Sequence, residues 1–180
     1  MSKFQGIFMG KNKLVKIITI TIIISLLFKI YIFSTVHISG QSMMPTLNNN
    51  DSVLIEKISL FTKNFKRGQI IIFNSNNKNH DIYIKRIIGV EGDKIELRGG
   101  SIYLNGNKLK EPYIKKYITT NGGTFLHENQ IIKIKKGFIF VLGDNRPLSN
   151  DSRYLGPINI KSIKGHIIFK FFPFNRFKFF

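Results

Sequence analysis

The chain has 180 residues, no cysteine, and 28 Lys and Arg against 10 Asp and Glu, a formal charge of +18. The missing cysteine excludes disulfides, thiolate nucleophiles and cysteine-based metal sites, while the length suits one domain with a core of its own. Such a charge fits nucleic acid or an anionic membrane, but the cations are spread along the chain rather than gathered in a nucleic-acid arm.

Residues 1–16 carry Lys3, Lys11, Lys13 and Lys16 and no acid. From Ile17 to Val36 the chain is apolar apart from Thr, Ser and Tyr, with Lys29 its one charge. A run of this length, at 1.5 Å per residue, reaches across a bilayer core, and Lys29 can snorkel towards an interface. No Lys or Arg occurs from His37 to Glu56. The positive-inside rule then makes 1–16 a cytoplasmic segment, 17–36 a single transmembrane anchor and 37–180 an extracytoplasmic domain. The rival reading, a cleavable signal peptide, calls for a shorter apolar region and an A-x-A-like site, which is missing after Phe33. The run is therefore read as an uncleaved anchor, and membrane attraction as the natural use of the charge.

Ser39-Gly40-Gln41-Ser42-Met43-Met44-Pro45-Thr46-Leu47 follows. Gly40 permits backbone angles that other residues resist, and Pro45 fixes its own φ and holds Met44 extended. This is either an ordinary turn leaving an anchor or a mount that presents the Ser42 hydroxyl beside free N–H donors. Short β-branched runs between turn residues then predict strands at Ser52–Lys57, Gln69–Phe73, Ile82–Val90, Lys94–Leu97, Ser101–Leu104, Phe138–Leu142 and Ser162–Phe172. Asn105-Gly106 marks a hairpin. No stretch after residue 40 sustains a helical period. The expected fold is mainly β, a coiled or barrel-like set of antiparallel sheets behind one N-terminal helix. The tail Phe169–Phe180 mixes Phe with Lys170, Arg176 and Lys178, and reads equally as a last packed strand or as a membrane-facing patch.

Within Ile82–Val90, strand alternation puts Tyr83, Lys85 and Ile87 on one face and Ile84, Arg86 and Ile88 on the other. One cation must then face apolar neighbours unless the strand is an exposed edge. Arg keeps its proton in any ordinary site whereas a desolvated Lys loses it, so a base here is Lys85; the plain alternative is a solvated edge lysine. The loop Gly143–Arg153 packs two acids and two arginines into a short space after an apolar strand. Asp/Arg pairs can stiffen such a loop and fix hydroxyls such as Ser149. His37, His80, His127 and His166 are scattered without metal-ligand spacing.

Ser42-Met43-Met44-Pro45-Thr46-Leu47, then Tyr83-Ile84-Lys85-Arg86-Ile87-Ile88-Gly89 with Gly92-Asp93, then Gly143-Asp144-Asn145-Arg146 through Ser149, Asp151, Ser152 and Arg153, resemble in order and context the bacterial type I signal peptidases. Lys66–Phe73 and Phe171–Arg176 are similar to that family's flanking segments. The resemblance implies a membrane-anchored serine endopeptidase, needing no cofactor, that removes signal peptides from exported preproteins at the bacterial plasma membrane. It further implies Ser42 as nucleophile, Lys85 as general base, and Ser149 as the hydroxyl orienting the lysine. Asp144, Asp151 and Arg153 would support the site, and Met43 and Ile84 would line pockets for small side chains. The Ser42 N–H would hold the oxyanion; Gly40 stands where some members carry a serine that adds a second donor. Gln69 stands where many members have Asp. The implied partners are preprotein signal peptides and the bilayer, not nucleic acid. Two alternatives stay open: a related maturation peptidase with one dedicated substrate, as in conjugative transfer, and a non-catalytic basic membrane-bound binding module.

Overall fold

The computed structural model describes residues 10–75, 81–115 and 117–180, the side chains at 27, 28 and 30 excepted; Lys3 and His80 lie outside them. The apolar N-terminal run folds as helix α1, Lys11–Ile32, and then turns directly into strand β1, Phe33–His37. The remaining elements, in order, are β2 (Ser52–Glu56), α2 (Ile58–Thr62), β3 (Ile70–Asn74), β4 (Ile82–Gly89), β5 (Lys94–Arg98), β6 (Ser101–Leu104), β7 (Asn107–Lys108), β8 (Ile131–Lys133), β9 (Phe138–Leu142), α3 (Ser152–Leu155), β10 (Ile158–Asn159), β11 (Ile163–Phe172) and β12 (Lys178–Phe179). All seven expected strands form within a residue or two of their expected ends.

The expected anchor is corrected at both ends. Helix α1 takes in Lys11, Lys13 and Lys16 and gives up residues 33–36. Phe33, Thr35 and Val36 suit a strand, and the backbone from Phe33 to His37 pairs antiparallel with Glu56 to Ser52. Residues 11–26 are exposed throughout, with Leu, Val and Ile side chains on every side of the helix. Among the described residues no helix is long and apolar enough to cross a membrane.

The strands build two antiparallel sheets. The larger follows the path β1-β2-β11-β3-β4-β9-β10, with β12 added to β11, and the smaller follows β7-β6-β5-β8. Register shifts within β11 and between β4 and β9 bend the large sheet. Among the described residues nothing closes it into a barrel, because β1 and β10 end the path. The hairpin at Asn105-Gly106 joins β6 to β7, with Asn105 at φ 52° and Gly106 at φ 86°. Gln69 Oε1 accepts the Lys66 N–H at 2.8 Å and closes the turn before β3.

Alternation along the strands sorts their side chains into separate apolar clusters. Met43 and Leu47, from the serine-bearing loop, pack with Val53, Ile55, Ile70 and Ile167. The face of β4 holding Tyr83 and Ile87 packs with Phe73, Ile139 and Val141, whereas Ile88 packs between the sheets with Ile95, Leu97 and Phe140. Burying a side chain such as Leu47 contributes roughly 2 kcal/mol, so the loop that carries Ser42 is fastened by its own apolar residues. In the tail β12 returns along β11, and Phe169 stacks on Phe177 and Phe179. The packed-strand reading therefore describes its backbone, although Phe174, Phe177 and Phe179 remain exposed.

Candidate active site

Three separate pieces of sequence meet at Ser42. The first is its own loop. The chain leaves β1, turns at Gly40 with φ +112°, and closes on itself where the Ile38 N–H donates to Asp51 O and the Asn50 N–H to Ile38 O. A positive φ of this size favours glycine, and a Cβ there would meet nothing within 4 Å. The Gly40 N–H donates to Asn49 Oδ1 at 3.1 Å, which stiffens the approach to the serine.

The second piece is β4. Lys85 Nζ donates to Ser42 Oγ at 2.8 Å and to Ile84 O at 3.0 Å, and lies 5.1 Å from the Tyr83 ring centroid. Only 3% of Lys85 is exposed. Burial lowers its pKa to about 8; the Asp151 carboxylate opposes this and the Arg153 guanidinium adds to it. The neighbouring cation is dealt with differently. Arg86 is also buried, but its Nε and Nη2 grip the two oxygens of Asp144 at 2.8 and 2.6 Å, and Nη1 donates to Gly68 O. Both faces of β4 are thus covered, and the edge-strand alternative for Lys85 does not apply. Arg86 is held by a bidentate carboxylate, whereas Lys85, with a hydroxyl and a carbonyl as partners, is free to lose its proton.

The third piece is the loop after β9. Asp151 is wholly buried: Oδ2 accepts the Gly143 N–H and Oδ1 accepts Arg153 Nε. Arg153 spans the loop by donating to the carbonyls of Arg146, Ser149 and Asn121. The expected pairing within the loop holds only for Asp151 and Arg153. Asp144 reaches across 58 positions to Arg86, and Arg146 pairs with Glu111 and Thr120.

Ser149 reaches the site but not the expected bond. Its Oγ is buried without a hydrogen-bond partner among the described residues, and the Lys85 ammonium donates to Ser42 Oγ and Ile84 O instead. It packs so tightly on Gly143 that a Cβ there would fall 2.2 Å from Ser149 Oγ and 2.5 Å from Ser42 O. Glycine at 143 is what lets the loop lie against the serine. Asn145 is a residue the sequence reading did not single out for a role. Its backbone N–H donates to Ser42 O and its Nδ2 to Gln41 O, each at 3.0 Å. Its signal was its place between Asp144 and Arg146, straight after an apolar strand.

A groove of about 460 Å³ runs beside the pair. One wall is the chain from Val36 to Met43 and the other is Ile82–Lys85, with Leu148 and Asn150 at the rim. Pairing of β4 with β9 begins only at Arg86, so the first half of β4 turns its second edge towards the groove. Met43, which is buried, and Ile84, half-buried, line it. His37 borders it with Nδ1 2.9 Å from Ser52 Oγ.

Comparison with known proteins shows which sequences this chain is similar to. A family model described as "Signal peptidase, peptidase S26" matches residues 11–172. Signal peptidase I of Bacillus amyloliquefaciens is 36% identical over 167 residues, covering 91% of this chain and 89% of the relative. Signal peptidase IB of Staphylococcus aureus is 36% identical over 184 residues, covering 95% of each. A crystal structure of a signal peptidase I from Enterococcus faecalis is 31% identical with a TM-score of 0.48, over 57% of this chain and 96% of that one.

Proposed function

The chain belongs to the S26 family of signal peptidases, and we propose that within it Ser42 is the nucleophile and Lys85 its general base. It is a serine endopeptidase that cleaves signal peptides. The observation that carries the proposed roles is the 2.8 Å contact between Ser42 Oγ and a lysine whose charge is disfavoured by burial.

Serine is a weak nucleophile until a base takes its proton. In the neutral form, Lys85 Nζ accepts the Ser42 Oγ proton as Oγ attacks the carbonyl carbon of the scissile bond. The negative charge that forms on the carbonyl oxygen is met by the Ser42 N–H. As the C–N bond breaks, the Lys85 ammonium returns its proton to the leaving amine, and an ester joins the substrate to Ser42. Water then attacks the ester carbonyl, Lys85 takes a proton from it, and Ser42 Oγ leaves with that proton restored. Asp144, Asp151 and Arg153 hold the loop against the serine, and the Ser149 hydroxyl, unpartnered in the free enzyme, orients Nζ once substrate covers the groove. Gly40 brings no side-chain hydroxyl to the oxyanion, which the Ser42 N–H meets.

The substrate lies extended between the residue 36–43 wall and the free edge of Ile82–Lys85, a strand added to an edge. Met43 and Ile84 close the floor and favour small side chains. The non-catalytic alternative has the Ser42–Lys85 contact against it, since a binding module has no use for a buried lysine whose proton is held weakly beside a serine hydroxyl. Cleavage of a preprotein by the parent and by Ser42→Ala tests the assignment. The variant should show no cleavage above background at any enzyme concentration used, and cleavage at the parent rate would remove Ser42 from the mechanism.

In this reading the apolar run from Ile17, which includes positions 27, 28 and 30 outside the described side chains, lies in lipid, with the N-terminal lysines on the cytoplasmic side and the β domain outside. Its support is the exposed Leu, Val and Ile side chains over residues 14–26 and the lysines before them. Protease added outside intact cells should digest the β domain; full protection would reverse the orientation.

A further inference from the structure

We infer that Lys170 and Arg176, far along the chain from the site, are positioning residues for the nucleophile and act through Asp51. The inference rests on the assignment of Ser42 above. Along β11 the inward residues are Ile163, Gly165 and Ile167, every second position. The register shift between Ile167 and Phe169 changes that parity, so that Lys170 is next to face in and is only 4% exposed. Its ammonium donates to Thr46 O and to Asp51 Oδ2, both at 3.2 Å. Asp51 is wholly buried and also accepts the Asn48 N–H through Oδ2. Arg176, its side chain 40% exposed, brings its guanidinium 3.1 Å from Asp51 Oδ1, as an ion pair rather than a directed hydrogen bond.

Every one of these contacts falls on the loop that carries the serine. Residues 38–51 are closed at the neck by Ile38, Asn50 and Asp51. On one side Asn145 grips Gln41 and Ser42; on the other Lys170 grips Thr46, four residues past the serine. Turn bonds from Met44 N to Gln41 O and from Leu47 N to Met43 O tie the two grips together. A buried lysine–aspartate pair is a poor means of gaining stability alone, since apolar residues of similar volume do as well or better. What the pair adds is direction: it fixes where the Thr46 carbonyl and the Asp51 carboxylate stand. A nucleophile misplaced by an ångström loses rate steeply. Neither Lys170 nor Arg176 lines the groove, so their loss should act on turnover and not on substrate capture.

The test uses the full chain in lipid with a preprotein substrate and compares Arg176→Gln, Arg176→Lys, Lys170→Met and, as an exposed neighbour, Lys178→Gln. Arg176→Gln should lower kcat roughly tenfold with KM within about twofold of the parent, at an unchanged fraction of folded protein. Arg176→Lys should recover most of the rate, Lys170→Met should lose more than Arg176→Gln, and Lys178→Gln should match the parent. Should Lys170→Met fail to fold, Arg176→Gln decides, because that side chain is half exposed. Parent kcat in Arg176→Gln, or a loss that follows only the folded fraction, overturns the inference. Ser42→Ala in the same assay keeps the two ideas apart: its activity would sink the nucleophile assignment, whereas a dead Ser42→Ala beside a normal Arg176→Gln sinks only the positioning role.

Discussion

Lys85→Met should leave an enzyme that cleaves nothing and yet folds more stably than the parent at neutral pH. The activity loss follows from removing the base placed on Ser42 Oγ, and losses of this kind reach roughly 10⁴-fold or more. Lys85→Arg should be equally inactive, since a guanidinium keeps its proton. The stability gain follows from the same burial that makes the lysine useful. Its folded-state pKa is about 8, against about 10.4 for an unfolded lysine. Between these values the unfolded chain binds more protons, so parent stability rises with pH across that window. Below it the full cost of holding a charged lysine in the site is present, roughly 3 kcal/mol. Lys85→Met escapes that cost at pH 7 and loses its advantage above about pH 10.4. Denaturant unfolding of both proteins at pH 7 and pH 10.5 checks this, and equal stabilities at pH 7 would mean that Lys85 is well solvated.

Asp151→Ala should have the largest effect on folding. The wholly buried carboxylate accepts the backbone N–H groups of Gly143 and Arg153 and two N–H groups of the single Arg153 guanidinium, from Nε and Nη2. Deleting it leaves the Arg153 charge buried with carbonyl oxygens alone, a loss of about 3–5 kcal/mol, and a fall of more than about 10 °C in Tm. Activity should fall with it, because Gly143 is what brings Ser149 and Asn145 to the serine. The pH profile of the remaining activity carries a second signature. The Asp151 charge favours the protonated form of Lys85, so without it the midpoint should move to lower pH. Thermal unfolding together with the profile separates the outcomes: normal stability with complete inactivity would give Asp151 a direct part in the chemistry.

The seven expected strands were legible because each is a short β-branched run between turn residues, whereas β8 and β10, three and two residues long, are too short to show a pattern. Strand β1 was not, since Phe33–Val36 continues an apolar run and apolarity alone does not separate helix from strand. The short helices α2 and α3 hold too few residues to show a period. The Ser42, Lys85 and Gly143–Arg153 stretches were legible as three motifs, and the fold brings all three together. Their ion pairs were not. Asp144 and Arg146 sit two positions apart and look like partners or neighbours in one network, yet the topology sends one to Arg86 and the other to Glu111. Lys170 and Asp51, 119 positions apart, left no trace in either local pattern. Contacts of this range are set by which strands lie side by side, and β11 lies between β2 and β3. Ser149 shows the converse. It lies close to the serine loop, but its hydroxyl has no partner among the described residues, and spacing has no information about a rotamer.

If Ser42 and Lys85 act as one unit, the pH dependence of Ser42 acylation must follow the lysine. The ester on the enzyme can be trapped by acid quench after a single turnover and located by peptide mass spectrometry. An adduct is expected on the peptide containing Ser42, formed at a rate that rises with one ionisation near pH 8, and no adduct is expected in Lys85→Met at any pH. An adduct on another residue, or one formed in Lys85→Met at the parent rate, would contradict joint action of Ser42 and Lys85.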